Sequence, residues 1–228
     1  MSVSKSFTPV RALLPAAFAV ALGCAGEAPE PQVDPRISGP LFQLQNFNER
    51  APGSFQARFE TTAGSFTIRV HRDWAPIGAD RFYNLVRGGY YDGIRIHRVL
   101  EDFTAGFGIH DDPYVNAVWR EQTLMDDPRV ESNTRGRVTF SKSIAHTRTV
   151  QVFVNLKDNS TLDGQNFVPF GEVVEGMEVV DAFYSDYGDG PPRGEGVYQA
   201  MAIAKGAEYL DEFPELDRIE SATIVESG

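Results

Sequence analysis

The sequence predicts a mainly β domain: a closed antiparallel barrel with helices plugging its ends. Three observations carry this. Short segments of alternating apolar and polar residues recur along the chain, each bounded by turn residues. Only two stretches carry a clear helical stripe, and they lie far apart in sequence. The elements do not alternate in the βαβ manner, which argues against a doubly wound parallel sheet. The chain has 228 residues, enough for one domain or two small ones. It is 42% hydrophobic and holds 16 Phe and 8 Tyr, ample aromatic mass for a β-rich core.

The elements follow in order. Phe55, Ala57 and Phe59 alternate with polar residues, Thr62-Ala63-Gly64 turns the chain, and Phe66, Ile68 and Val70 alternate again. This is a hairpin with one buried face. Pro76 opens a helix over Ile77–Arg87, whose stripe is Phe82, Leu85 and Val86, and Gly88-Gly89 ends it. Strands are predicted over 94–100, 137–141, 150–155 and 167–174. A second helix is predicted over 175–184, with Met177, Val180 and Phe183 inside. A short third one is predicted over 206–213, and 219–225 returns as the last strand. No internal repeat is visible.

The first 40 residues concern address. Lys5 and Arg11 precede an eleven-residue apolar run, Ala12 to Leu22. A spanning helix needs about 20 residues, so the run reads as a secretory signal over residues 1–23. It ends at Ala21-Leu22-Gly23-Cys24, which resembles a bacterial lipobox with Ala21 where Leu is usual. Cys24 is the only cysteine, so it is the expected lipidation site and no disulfide forms within this sequence. An ordinary signal peptide is the other reading. Residues 24–40, with four prolines, read as a tether, and residues 41–228 as the folded domain. The expected location is a membrane-anchored lipoprotein facing the periplasm or cell exterior, or a soluble exported protein. Ala25 after the cysteine resembles outer-membrane sorting.

Net charge is −11, with 21 basic and 32 acidic residues; without Lys5 and Arg11 it becomes −13. Such a surface repels phosphate backbones and argues against a nucleic-acid partner. His71, His97, His110 and His146 share no metal-ligand spacing, and no metal or cofactor is expected. His110-Asp111-Asp112 reads as a solvated loop, and Asp126-Asp127 and Asp186 with Asp189 as surface charge. Gly188, Gly190 and Gly194 among Pro191 and Pro192 make a loop and not a phosphate cradle. Nothing demands a dimer, so a monomer is expected.

Two positions are odd for a plain barrel. Val150, Val152 and Val154 share one face, so Gln151 and Phe153 point the other way. Arg98 shares parity with Ile94, Ile96 and Leu100, and a charge on an apolar face is costly unless paired or facing a cleft. Either Arg98 pairs with a carboxylate at the sheet edge and a loop covers Phe153, or both face a groove.

Several blocks in order settle the second reading by resemblance. Ile96-His97-Arg98-Val99 with Phe103, Ser132-Asn133-Thr134-Arg135-Gly136, Thr147 to Asn155, Leu162-Asp163-Gly164-Gln165 and Phe170 to Met177 resemble the cyclophilin family of peptidyl-prolyl isomerases. Pro76 to Tyr91 resembles its first helix and Gly-Tyr-Tyr turn. Phe107 to Pro113 with Trp119-Arg120-Glu121 resembles a bacterial subgroup. The resemblance spans about Ala57 to Val225. It implies a closed eight-stranded antiparallel barrel capped by two helices, with a groove on its outside. It also implies rotation about X-Pro bonds in client proteins, with proline-containing segments as partners. Arg98 matches the family's catalytic arginine. Phe103, Phe153 and Leu162 match its proline pocket, and Gln151 matches a residue that hydrogen-bonds substrate backbone.

This sequence departs from the family at some positions. Thr104 and Gly106 stand where Met and Gln are usual, and that Gln helps hold the arginine. Lys142, between Ser141 and Ser143, replaces an Asn or apolar groove residue. The family's pocket histidine falls at Asn166 or Phe167. Thr161 aligns with the Trp that supports cyclosporin binding, so weak binding of that drug is expected. The alternative function is a catalytically weak module that holds proline-containing peptides as a chaperone or scaffold.

Overall fold

The computed structural model describes residues 36–225. The signal segment, Cys24 and most of the tether lie outside the described residues. Residues 36–40 are exposed, and Arg36 sits over the Tyr114 ring at 4.7 Å.

The strands are β1 Ser54–Thr61, β2 Gly64–His71, β3 Arg98–Val99, β4 Thr104–Phe107, β5 Arg137–Phe140, β6 Val152–Asn155, β7 Pro169–Glu175 and β8 Ile219–Val225. The helices are α1 Pro76–Arg87, α2 Pro113–Trp119, α3 Met177–Asp181, α4 Gln199–Lys205 and α5 Ala207–Leu210. All eight strands form one antiparallel sheet, in the order β3-β4-β6-β5-β7-β2-β1-β8.

The sheet curls into a barrel, with one correction to the expected closed form. Among the described residues no ladder joins its two edges. They are tied by a single bridge, Arg95 to Arg218, where the Ile96 N–H donates to Asp217 O and the Ile219 N–H to Ile94 O, both at 2.8 Å. The strand predicted over 94–100 is therefore mostly irregular. Arg95 is buried there and gives its guanidinium to Asp111 at 2.8 Å and Asp211 at 2.5 Å.

The hairpin forms as its alternation requires: Phe59 opposes Phe66, Ala57 opposes Ile68, and Phe55 opposes Val70. Phe59 and Phe66 stack at 4.9 Å. Phe170 meets both Phe82 of α1 and Phe140 of β5 at 4.9 Å. Each buried ring contributes about 1.5–3 kcal/mol of transfer free energy. Tyr91 keeps its hydroxyl satisfied by donating to Val150 O at 3.0 Å.

Helix α1 starts at a proline, and the preceding Ala75 offers no side-chain cap. Its first N–H groups need an acceptor. Asp127 supplies one from far along the chain, accepting from Ile77 N at 2.9 Å and Gly78 N at 3.0 Å. It also accepts from Arg148 Nη2 at 3.0 Å. Asp126 accepts from Lys142 Nζ at 2.7 Å. Both carboxylates are buried, so the expected surface charge is a set of internal ion pairs. At its other end, α1 stops at Gly88, where an added Cβ would lie 2.2 Å from the Phe47 ring. That ring crosses here to pack edge-on against Trp119 at 4.8 Å.

The second predicted helix is shorter than expected. β7 runs on to Glu175, and Gly176 takes φ 75, so α3 begins only at Met177. The expected short helix over 206–213 appears as α5, preceded by α4, which the sequence reading missed. It missed α2 and β4 as well. Helices α4 and α5 lie within a long connection between α3 and β8. Val197, Ala202, Leu210 and Leu216 of that connection form a second apolar cluster with Ile109. His110-Asp111-Asp112 is the joint to it, not a solvated loop. Asp112 caps α2, accepting from Tyr114 N at 2.8 Å, and Asp111 binds Arg95 and Arg218.

Two of the buried polar side chains give testable expectations. Asp127→Ala uncaps α1 and strips Arg148 of a buried partner, so it should cost about 3–5 kcal/mol, measured by denaturant unfolding. His97 is buried, and its Nδ1 has no hydrogen-bond partner. Burial first, and the Arg98 charge second, push its pKa down from 6.5 to about 3. The unfolded chain therefore binds a proton that the folded chain refuses. This stability is present above pH 6.5 and is lost at about 1.4 kcal/mol per pH unit as pH falls toward 3. The melting temperature should drop between pH 6.5 and 4.5, and less steeply in His97→Leu; equal slopes would rule His97 out as the cause.

Candidate active site

The site lies on the outer face of β3, β4 and β6, where strand register sets one row of residues. Arg98 of β3 opposes Gly106 of β4, and Gly106 opposes Phe153 of β6. Alternation explains the arrangement. Val99, Ala105, Val152 and Val154 turn into the barrel and are buried, so their neighbours face out. Gly106 adds no side chain between Arg98 and Phe153. An added Cβ would meet only ordinary contacts there, 3.7 Å or more away, so the backbone does not require this glycine.

The result is a groove of about 410 Å³, whose lining includes Arg98, Phe103, Thr104, Gln151, Phe153, Leu162 and Phe167. Phe153 points outward yet is only 7% exposed, because Phe167 packs edge-on against it at 5.8 Å. Leu162 is held in a 3-10 turn, Ser160–Gln165. Phe103 lies under the Arg98 guanidinium, 5.6 Å from ring centroid to Cζ.

Arg98 is fixed from two sides. Its Nη1 donates to Thr104 Oγ1 at 3.0 Å. Its Nε and Nη2 donate to the two oxygens of Asp189 at 2.9 and 3.2 Å. Sequence reasoning put Asp189 among surface charges. The structure brings it from the α3–β8 connection onto the arginine, leaving its side chain 15% exposed. The signal for such a partner was the odd charge at Arg98, but no spacing singles out one acid among 32. Both readings of Arg98 therefore hold: it is paired with a carboxylate and it faces a cleft.

Lys142 also lines the groove. Its ammonium is tied to Asp126 at 2.7 Å and lies 5.6 Å over the Phe167 ring. Gln151 borders both this groove and a neighbouring cavity of about 720 Å³ between α2, α4 and the 141–149 segment. Asn166 is a correction. It takes the left-handed conformation, φ 55, that closes the 3-10 turn, it is exposed, and Phe167 fills the wall in its place. Gln165, Arg193 and Gln199 also line the groove and were missed, the latter two because their segment gives no strand or helix signal.

Beneath the groove runs a network of buried amides. Asn133 Nδ2 donates to Asp163 Oδ1 and to Phe167 O, both at 2.8 Å. Its Oδ1 accepts from Thr139 Oγ1 at 2.9 Å and from Asn155 Nδ2 at 3.3 Å. Asn159 Nδ2 donates to Phe103 O at 2.8 Å and to Asn155 Oδ1 at 2.9 Å. The backbone under Phe103 and Phe167 is thus held from inside. A fixed guanidinium beside an apolar, aromatic-walled slot can hold a small ring and direct N–H groups at a neighbouring lone pair.

Comparison with known proteins gives the same picture. Residues 56–204 match the family described as Cyclophilin type peptidyl-prolyl cis-trans isomerase/CLD. The chain is 30% identical over 131 residues to peptidyl-prolyl cis-trans isomerase B of Escherichia coli, covering 54% of this chain and 80% of that relative. It is 31% identical over 134 residues to the isomerase cyp18 of Streptomyces antibioticus, covering 54% and 78%. A crystal structure of a cyclophilin-type isomerase from Cryptosporidium parvum superposes with a TM-score of 0.56 at 18% identity, covering 77% of this chain and 99% of that one. The chain belongs to the cyclophilin-type peptidyl-prolyl cis-trans isomerase family.

Proposed function

We propose that this protein accelerates cis-trans rotation about X-Pro bonds of proteins outside the cytoplasm, with Arg98 as the catalytic residue. The observation that carries the reading is the fixed guanidinium of Arg98 beside the apolar slot of Phe103, Phe153, Leu162 and Phe167.

The barrier to be lowered is about 18–20 kcal/mol and arises from amide resonance. It needs no nucleophile and no proton shuttle. In the twisted state the proline nitrogen becomes pyramidal and exposes its lone pair. A donor aimed at that lone pair binds the twisted amide better than either planar form, and that differential binding is catalysis. Arg suits the task because it stays charged at any working pH. The apolar slot holds the proline ring while the acyl side turns, and Gln151, at the border of the groove, binds substrate backbone. Lowering the barrier by about 5 kcal/mol accelerates the step about 10³–10⁴-fold.

The extracytoplasmic setting rests on Lys5, Arg11, the apolar run 12–22 and Cys24. A lipidated Cys24 followed by a proline-rich tether would hold the domain at a membrane surface; stable anchoring takes about two lipid signals. The client class is proline-containing segments of exported proteins. A binding-only module is favoured by one observation, the vacant side-chain position at Gly106 beside Arg98.

Exchange NMR on an X-Pro peptide decides between these. The parent protein should speed exchange, and Arg98→Ala should lose about 10²–10³ of that acceleration while still shifting the peptide's resonances. Peptide shifts with no acceleration by the parent would establish the binding module. For the anchor, the full chain made in a Gram-negative host should fractionate with membranes and carry an acylated N-terminal peptide by mass spectrometry. Cys24→Ser should release it; recovery of the parent as a soluble, unacylated protein would reject the anchor.

A further inference from the structure

The long connection between α3 and β8 carries a feature that the rotation mechanism alone does not require. Asp189 sits at its start and is built into place. Its Oδ1 accepts from Arg98 Nε at 2.9 Å and from Gly190 N at 3.1 Å. Its Oδ2 accepts from Arg98 Nη2 at 3.2 Å and forms an ion pair with Arg193 Nε at 2.7 Å. The loop closes on itself to hold this carboxylate. The Gly196 N–H donates to Asp189 O at 3.0 Å, and the Arg193 N–H to Gly190 O at 3.1 Å. Three glycines make that closure feasible. A Cβ on Gly190, Gly194 or Gly196 would lie 2.1–2.3 Å from the carbonyl oxygens of Val197, Asp189 and Tyr187. The connection is anchored in turn by its apolar cluster, to which Val197 belongs.

We propose that Asp189 is the positioning residue of the reaction: its two oxygens fix the plane of the Arg98 guanidinium and leave the remaining N–H groups aimed into the groove. This rests on the isomerase reading above. A guanidinium has five N–H donors in a rigid fork. Asp189 takes two of them and Thr104 a third, so two remain for the proline nitrogen and its neighbours. Across the sheet, Gly106 offers no side chain to do the same work. A long, singly tethered arginine would otherwise sample many rotamers, and small misplacements of a catalytic group cost large factors in rate. The carboxylate does not cancel the cation it holds. Arg193 shares it, so the trio Arg98, Asp189 and Arg193 keeps a net positive charge. The hydrogen bond from Arg98 is the main cause that holds the Asp189 carboxyl below the usual range, which keeps it an acceptor at working pH.

The test is a double-mutant cycle read in kcat and KM on an X-Pro peptide. Asp189→Ala should lower kcat about tenfold with KM within about twofold, and Asp189→Asn, nearly the same size, should fall between it and the parent. In an Arg98→Ala background, Asp189→Ala should cost nothing further, because the residue acts only through that arginine. An equal loss in both backgrounds would show a merely structural role, and a raised or unchanged kcat would overturn the proposal. The second readout does not depend on activity. The Arg98 Nε–H resonance, identified by its absence in Arg98→Lys, should be shifted and slow to exchange with water in the parent and lose both properties in Asp189→Ala, which leaves no acceptor there. An unchanged resonance would sink the clamp. A parent that fails to accelerate rotation would sink the isomerase reading, whatever this resonance shows.

Discussion

The groove depends on one buried amide. Asn133 is fully buried and makes hydrogen bonds with Asp163, Phe167, Thr139 and Asn155. Those partners belong to the 3-10 turn that carries Leu162, the segment that carries Phe167, and the two strands β5 and β6. An amide in an apolar interior is costly unless both its N–H groups and its oxygen are met. Once they are met, the same low dielectric makes the arrangement stiff. The apolar walls of the groove are therefore positioned by a polar network behind them. Aromatic contacts alone, about 0.5–1.5 kcal/mol per pair beyond their area, would let Phe153 and Phe167 drift.

The sheet imposes the second constraint. Period-two alternation sends Val152 and Val154 inward, so Phe153 must point out. A large aromatic on an outer face needs cover, and the turn at 160–165 with Phe167 supplies it. The same alternation puts Arg98, Gly106 and Phe153 in one cross-strand row. Barrel packing and site geometry are thus two faces of one pattern. Replacing an inward valine with a bulkier residue would push on strands that carry the groove on their other side.

This explains what the sequence made legible and what it hid. The hairpin 54–71, helix α1 and strands β5 to β8 rest on local patterns, and they were read within a few residues. Arg98 and Phe153 were visible as violations of those patterns, and Gln151 as their neighbour. The burial of Asp127 was hidden because it answers a need elsewhere, uncapped N–H groups at Ile77 and Gly78 about 50 residues away, and that of Asp126 because its partners Lys142 and Arg148 come from a later segment. The predicted strand 94–100 is longer than the observed one because its alternation is real while a ladder partner exists only at Arg98 and Val99, with a lone bridge at Arg95. The α2, α4 and Asp189 region was hidden because its helices are short and its apolar cluster is assembled from distant segments.

The two charged devices of the site answer one electrostatic problem. A cation must lie near an apolar slot without collapsing onto the nearest water or acid. Lys142 is paired with Asp126 and lines the groove wall. Arg98 meets a carboxylate along its Nε–Nη2 edge only, and its Nη1 side meets the neutral Thr104 hydroxyl. Partial pairing keeps a guanidinium ordered while leaving it free donors. A fully paired arginine would have no donor left, and an unpaired one would have no fixed direction. The two neighbouring cations of the groove therefore differ: Lys142 is drawn onto a buried carboxylate, whereas Arg98 meets its carboxylate along one edge of the fork and keeps donors beyond it.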